Sequence, residues 1–358
     1  MPFTRFAAAS LAGLFMLSCA AFAQSPQPIL HPPPPSTQPP QTIKLDVVVE
    51  NKSGQPLTAL QQQDFTVFDN KAPRPITSFK LETPKEEPVE VIIYLDAVNT
   101  PYELLAQIRN GTDKYFKENE GTLAHPTTFA FLTDDGAQFN KQFSSNGMKL
   151  SDDLEHDPVG LRQILRGAQW SDIDRFDIGI KAIHQLIGLA SKLPGRKVVI
   201  FVSPGFPLLS GPTAQLTSKQ QRQIFSDAVY LSTELRRNNV TFYNINPLGV
   251  SQPMFGANYY ENFLKGLSRL DDAQFASLSP QVLSPQSGGL TLTSNNDIAS
   301  MIQRCLLDVA SWYRITFDPL PSEKPNDYHH IEVRVTQPHA IVRTRDGYYA
   351  NPTPVAVQ

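Results

Sequence analysis

The sequence predicts an α/β fold: a doubly wound, mostly parallel sheet inserted between N- and C-terminal β segments that form a β-sandwich. Three observations carry that reading. The stretch "VEVIIYLDAVNT" (Val89 to Thr100) opens with six apolar residues among its first seven, the signature of a strand buried on both faces. A second such run, "RKVVIFVS", follows an amphipathic helix, which is the rhythm of a parallel sheet. On either side of this region the sequence alternates polar and apolar residues at the period of half-buried strands.

At the N-terminus, Arg5 precedes the short apolar run "LAGLFML", and Ala21-Phe22-Ala23 forms a small-x-small cleavage site before Gln24. Residues 1–23 thus read as a signal peptide, and the mature chain as exported, periplasmic or secreted. Cys19 in "MLSC" offers a competing lipoprotein reading, but Met16 and Leu17 fit a lipobox poorly. No later run is long enough for a transmembrane helix. With the signal removed, Cys305 is the only cysteine, so no internal disulfide holds the fold. Residues 24–41 are a Pro-rich linker of polyproline-II character, either a tether or a leader without a role. The net charge of −3 gives no sign of a nucleic-acid partner.

The N-terminal β segment spans 42–83, with "TIKLDVVVE", "DFTVFDN" and "ITSFKLE" as strands around the turn "NKSGQP". The α/β region spans 88–311. After its first strand, residues 101–117 read as a helix, and Asp135-Gly136 turns a hairpin. Phe176, Ile180, Ile183 and Ile187 mark a helix over 174–190, and Ile224, Ala228, Leu231 and Leu235 mark another. "VTFYNIN" is a strand; residues 248–286 read as a long irregular loop with a short helix; "GGLTLT" is a last short strand. Ile298, Ile302, Cys305 and Val309 form a final helical stripe, which makes Cys305 a core residue. The C-terminal β segment spans 312–351. Each β segment is about 40 residues, too few for a core of its own, and this is why they are expected to pair. The first strand enters, and the last helix ends, at the same end of the sheet, so Pro84–Pro88 should lie near Trp312, with the sandwich below and the strand C-termini free.

The order strand-Asp, hairpin, helix, "GRKVVIFVSPG" resembles a von Willebrand factor type A domain. With "VVVENKSGQPLTALQQQDFTVFDNKAPRPITSF", "LDAVNT" and "YRITFDP…HIEVRV…VRTRDGYYA", the chain resembles exported VWFA-related proteins of the acidobacterial type over nearly all of 42–350. The resemblance implies a von Willebrand A/Rossmann-like sheet and a role in binding rather than catalysis. Such domains often hold Mg²⁺ or Mn²⁺ through Asp-x-Ser-x-Ser, a Thr from a second loop and an Asp after the fourth strand. A hard divalent ion takes about six oxygens, and a vacant position receives the partner's carboxylate.

Set against that pattern, Asp96 and Thr100 match, Val98 stands at the second position, and Ser203-Pro204 replaces the later Asp. A substitute set for Mg²⁺, Mn²⁺ or Ca²⁺ is Asp96, Thr100, Ser203 and Asp172 or Asp174. Without a metal, Asn99, Ser171 and Phe206 are the expected partner-binding surface. Asp96 also has a structural reading, accepting from backbone N–H groups of the helix that follows, capped by Asn99 or Thr100 with Pro101 at its first position. Asp134 and Asp135 read as turn residues, His329 and His330 as surface and edge residues, His184 as partly exposed.

Enzymatic motifs are missing. Phe201 stands where a G-x-S-x-G nucleophile elbow around Ser203 needs glycine, and there is no P-loop, dinucleotide fingerprint or zinc helix. The expected function is therefore a non-enzymatic interaction module that binds a protein or cell-envelope partner through its upper loops, with no cofactor. A metal-dependent adhesin is the alternative and an α/β hydrolase-like enzyme the distant one. Oligomeric state is not legible.

Overall fold

The computed structural model describes residues 42–140, 142–158, 172–207, 216–248, 259–293, 297–322 and 324–352. The signal peptide, the Pro-rich linker, Cys19 and Ser171 lie outside the described residues. Four strands come first: β1 (Ile43–Glu50), β2 (Phe65–Asp69), β3 (Ala72–Arg74) and β4 (Ile76–Glu82). The α/β region follows with β5 (Val89–Asp96), α1 (Tyr102–Lys117), β6 (Thr122–Thr133), β7 (Gly136–Phe139), β8 (Ser144–Asn146), α2 (Gly147–His156), α3 (Asp172–Ala190) and β9 (Arg196–Val202). It continues with α4 (Ser218–Arg237), β10 (Val240–Ile245), α5 (Pro280–Ser287), β11 (Thr291–Leu292) and α6 (Ile298–Leu306). The chain closes with β12 (Trp312–Phe317), β13 (Asp327–Val335), β14 (Ile341–Arg343) and β15 (Gly347–Ala350).

The central sheet runs β11-β10-β9-β5-β6-β7, with β8 on β6. Pairs among β11, β10, β9, β5 and β6 are parallel; β7 and β8 pair antiparallel to β6. Numbered by appearance this is the order 3-2-1-4-5-6 of a doubly wound sheet. Successive residues of one strand feed opposite faces. Val91, Ile93 and Leu95 pack with Ile108, Leu150, Ile302 and Cys305 under α1, α2 and α6. Ile92 and Tyr94 pack with Phe176, Ile183, Ile224 and Leu283 under α3, α4 and α5. Every residue of β9 and β10 is buried. That explains the unbroken apolar runs, and why only strand ends can present chemistry.

The two β segments interleave. One sheet is β14-β1-β12-β4 and the other β15-β13-β2-β3, so each mixes strands from both ends of the chain. Leu45, Val47, Phe65, Val67, Ile315, Phe317 and Val333 share one core between them. The sandwich meets the N-terminal ends of the parallel strands, the end at which the first strand enters and the last helix finishes. Arg196, the first residue of β9, donates its backbone N–H to Pro88 O at 2.9 Å and lays its guanidinium 4.7 Å from the Trp312 ring. Arg314 of β12 pairs with Asp46, Glu82 and Glu87.

Two features escaped the sequence reading, and two of its expectations change. Residues 147–156 form α2, which holds only Leu150 and Leu154 as buried side chains of any size, too sparse a stripe to read. The strand after α1 begins at Thr122; Pro126 lies inside it where the β6–β8 register shifts, the place a strand tolerates proline. Of the segment expected to be a long irregular loop with a short helix, the helix is α5, three 3-10 turns lead into it, and from Ala273 onward the chain is packed, with Ala273, Ala276, Leu278, Val282 and Leu283 buried. Its Pro, Ser and Gln content hides this, because Ser284 and Ser287 satisfy themselves on backbone carbonyls at 2.9 Å and are buried as well. Finally, His329 is not a surface residue. It is 2% exposed, with Nδ1 2.8 Å from Asp69 Oδ1 and 2.9 Å from the Tyr348 hydroxyl, while His330 is exposed. In β13, His329 shares parity with the inward Ile331 and Val333.

Between α3 and α4, His184 has a side chain 24% exposed, with Nε2 3.7 Å from Asp227 Oδ1, and its ring stacks on Tyr230 at 4.6 Å. Burial pushes Asp227 up to about 6, against the hydrogen bonds from Gln223. Burial pushes His184 down. A carboxyl raised in the folded state binds more protons there than in the unfolded chain between about pH 4 and 6, so its contribution to stability falls as pH rises through that window. Asp227→Asn should therefore gain stability relative to the parent as pH rises from 4 to 7, by about 2 kcal/mol at the upper end. Urea unfolding at both pH values measures it; a difference that stays flat with pH would refute the assignment.

Candidate functional site at the strand C-termini

β5 and β9 are neighbours whose chains leave to opposite faces, toward α1 and toward α4. In open α/β sheets the crevice at such a reversal of strand order is where ligands bind. Asp96 ends β5 there and is fully buried. Its Oδ1 accepts from the backbone N–H groups of Val98 at 2.9 Å and Asn99 at 2.8 Å. Its Oδ2 accepts from Asn99 Nδ2 at 2.9 Å and from Ser203 Oγ at 2.6 Å, across the crevice from the end of β9. Ser203 Oγ in turn accepts from Gly205 N at 3.0 Å. Asn244 of β10 ties its Nδ2 to the carbonyls of Phe201 and Ser203, both at 3.2 Å. Burial pushes the Asp96 carboxyl up, while the bonds from Ser203, Asn99 and Val98 hold it down.

The expected structural role of Asp96 is thus realised with different donors. Three of them, from Val98 and Asn99, belong to the turn Ala97–Thr100 before the helix, and the fourth is the Ser203 hydroxyl after β9. Pro101 itself caps α1, its carbonyl accepting from Leu104 and Leu105 at 3.0 and 2.9 Å, one position off the expected cap.

The other candidates are placed as follows. Val98 is buried at 3% exposure and Thr100 at 1%. Asp172 and Asp174 are exposed in the first turn of α3, where the helix dipole favours acids, and Asp172 pairs with Arg175. Neither is among the four partners of Asp96. Among the described residues, no group of three or more His, Cys, Asp or Glu side chains is arranged to hold a metal ion. The donor set at Asp96 does not fit a divalent cation. An ion there would have to displace Ser203 or Asn99 from a buried carboxylate, and it would meet Val98 and Pro204 where oxygens are needed.

Of the expected contact surface, Asn99 is half-buried at the rim. Phe206 is not on the surface: it is 5% exposed, against Phe176 at 6.0 Å and Phe201 at 6.2 Å. Gly179 makes room for it, since a Cβ there would stand 2.4 Å from the ring. Over this plug lies the packed segment before β11. Phe275 meets Phe176 edge-on at 4.8 Å, and Gln281 Nε2 donates to Pro204 O at 3.1 Å. Gly205, at φ +100°, passes so close beneath Gln281 that a Cβ would lie 2.4 Å from its amide. The crevice is therefore filled by the chain's own side chains. Among the described residues, the upper face leaves a rim in solvent: Tyr102 at 50% and Ile173 at 44% exposure, with Glu103, Asp172 and Asp174 also exposed. The sequence motifs pointed at the crevice and missed Tyr102, two positions beyond Thr100, and Ile173, in the first turn of α3.

No family model matches this chain, and no curated protein does. Solved structures match at low identity. Human COPII-coat protein Sec24c is 10% identical over 77% of this chain and 46% of its own, with a TM-score of 0.32. The PilB minor pilin from Streptococcus sanguinis is 12% identical over 63% and 62%, with a TM-score of 0.35. The manganese-loaded TRAP protein of Plasmodium vivax is 12% identical over 78% and 98%, with a TM-score of 0.34. The chain thus spans under two thirds of the length of the first two. Among the described residues no helix is long and apolar enough to cross a membrane.

Proposed function

We propose that this chain is an exported, non-enzymatic interaction module of von Willebrand A type that binds a protein or cell-envelope partner without a metal. The observation that supports it most is the saturation of Asp96: four internal donors and full burial leave the carboxylate nothing to offer a cation or a substrate. Ser203 is equally enclosed, so its hydroxyl has no access to a substrate. The contact face on this reading is the rim, with Tyr102 and Ile173 as apolar anchors among acids. Large amphipathic side chains of that kind concentrate binding energy at interfaces.

The test is capture from a cell-envelope extract by the parent chain and by Tyr102→Ser/Ile173→Ser. A partner retained in EDTA and lost with the double variant is expected, while Leu307→Ser, at the opposite end, keeps it. Melting in EDTA and in millimolar Mg²⁺, Mn²⁺ or Ca²⁺ should coincide, because only an ion bound by the folded state raises Tm. A metal-dependent rise abolished in Asp96→Ala would replace this reading with the metal-dependent adhesin.

A further inference from the structure

A cavity of about 270 Å³ lies where the last turn of α4 meets the sandwich. Ile43, Leu320, Tyr348 and Tyr349 give it an apolar and aromatic wall, and Asn351 adds an amide. Among the described residues, Arg236 is the only charged side chain in that wall. Its Nε is buried without a hydrogen-bond partner. No carboxylate among the described residues lies within ion-pair distance of it. The one acid on the same turn, Glu234, is spent elsewhere: it accepts from Arg237 at 3.3 Å and from Asn238 Nδ2 at 3.2 Å. Asp69, below Tyr348, has both oxygens taken by His329, Tyr348 and the Leu320 N–H, each at 2.8 Å.

The surroundings add positive charge. Arg345 is buried at 8% exposure, pushed down to about 10 by burial and then by Arg236. Arg196 is also near Arg345, and its nearest acid, Asp46 at 3.7 Å, already serves Arg314. A cation at a helix C-terminus gains from the dipole, but the dipole does not supply a partner for a buried N–H. A guanidinium stays charged in proteins; Arg236 as a whole is half-buried, but its Nε–H is buried without a partner, and a buried unsatisfied donor is costly. Its planar fork matches a carboxylate with two parallel hydrogen bonds. The volume is near the lower end of ligand pockets, enough for a small molecule.

We propose that this cavity binds a small monocarboxylate with an apolar or aromatic body, its carboxylate on Arg236 and its body against Leu320 and the Tyr348 and Tyr349 rings. A free organic acid and the C-terminus of a peptide share this chemistry. The probes are phenylacetate and N-acetylglycyl-phenylalanine, each beside its amide, titrated into the full chain by calorimetry. The acids should bind roughly tenfold to a hundredfold more tightly than their amides, the range of a charge-assisted hydrogen-bond pair. Tighter binding of phenylacetate assigns a free acid, and tighter binding of the dipeptide a chain terminus. Arg236→Gln should lose the same factor and melt no lower than the parent without ligand, because it removes an unpaired charge; Arg237→Gln should bind as the parent does. Arg236→Lys, which keeps the charge and loses the fork, should fall between. Equal affinity for acid and amide, undiminished binding in Arg236→Gln, or no binding of either acid overturns the proposal.

Discussion

Asp96→Ala should destabilise the fold by about 3–4 kcal/mol, the upper range for a single substitution. The loss does not come from a missing ligand. It comes from four donors stranded in a buried place: the N–H groups of Val98 and Asn99, the Asn99 amide and the Ser203 hydroxyl. Each buried unsatisfied donor costs about 1–3 kcal/mol, and the turn can relax around only some of them. Ser203→Ala removes one donor to Asp96, which keeps three others, but strands the Gly205 N–H, so it should cost about 2 kcal/mol. Urea unfolding of the two variants checks the ratio. If Asp96→Ala lost under about 1 kcal/mol, the carboxylate would not be the keystone of the switch point, and a role toward solvent would have to be reconsidered.

Asp96 also shows where sequence reading works and where it stops. The run from Val89 to Leu95 announces a buried strand because it is apolar on both faces, short and rich in β-branched residues, and the Asp at its end announces the switch point. The pairing of the two β segments was legible from length alone, since neither could bury a core by itself. The residues that close the site were not legible. Phe206 looks like an exposed loop aromatic until Gly179, distant in sequence, is seen to open a seat for it. Gln281 sits in a stretch whose Pro, Ser and Gln content reads as loop, yet it is 4% exposed and covers the turn after β9. Such contacts depend on which polar side chains find backbone partners, and composition does not carry that information. His329 is the opposite case. Its parity with Ile331 and Val333 placed it inward, and the signal was present in the strand period.

The second large effect lies between the α/β region and the sandwich. Asp308→Ala should cost about 3–5 kcal/mol, the cost of stranding buried charge. Asp308 follows α6, is 1% exposed, and accepts from Tyr243 at 2.9 Å, Arg304 at 3.2 Å and both terminal nitrogens of Arg343 at 2.5 and 2.6 Å. Glu50 of β1 receives the same two arginines, Arg304 at 2.8 and 2.9 Å and Arg343 at 3.1 Å. Two acids thus balance two arginines contributed by α6 and β14, and the Tyr243 hydroxyl of β10 is enclosed with them. Removing Asp308 leaves two guanidinium groups on one carboxylate and orphans the hydroxyl. Removing Arg343 as well restores the balance, one acid to one base. The double variant Asp308→Leu/Arg343→Met should therefore lose less than the sum of the two single losses, with a coupling of about 1–3 kcal/mol. Denaturant unfolding of the four proteins in the cycle measures it. Strict additivity would mean that Asp308 and Arg343 do not act as a coupled pair, and that this ion cluster does not lock the two halves of the molecule together.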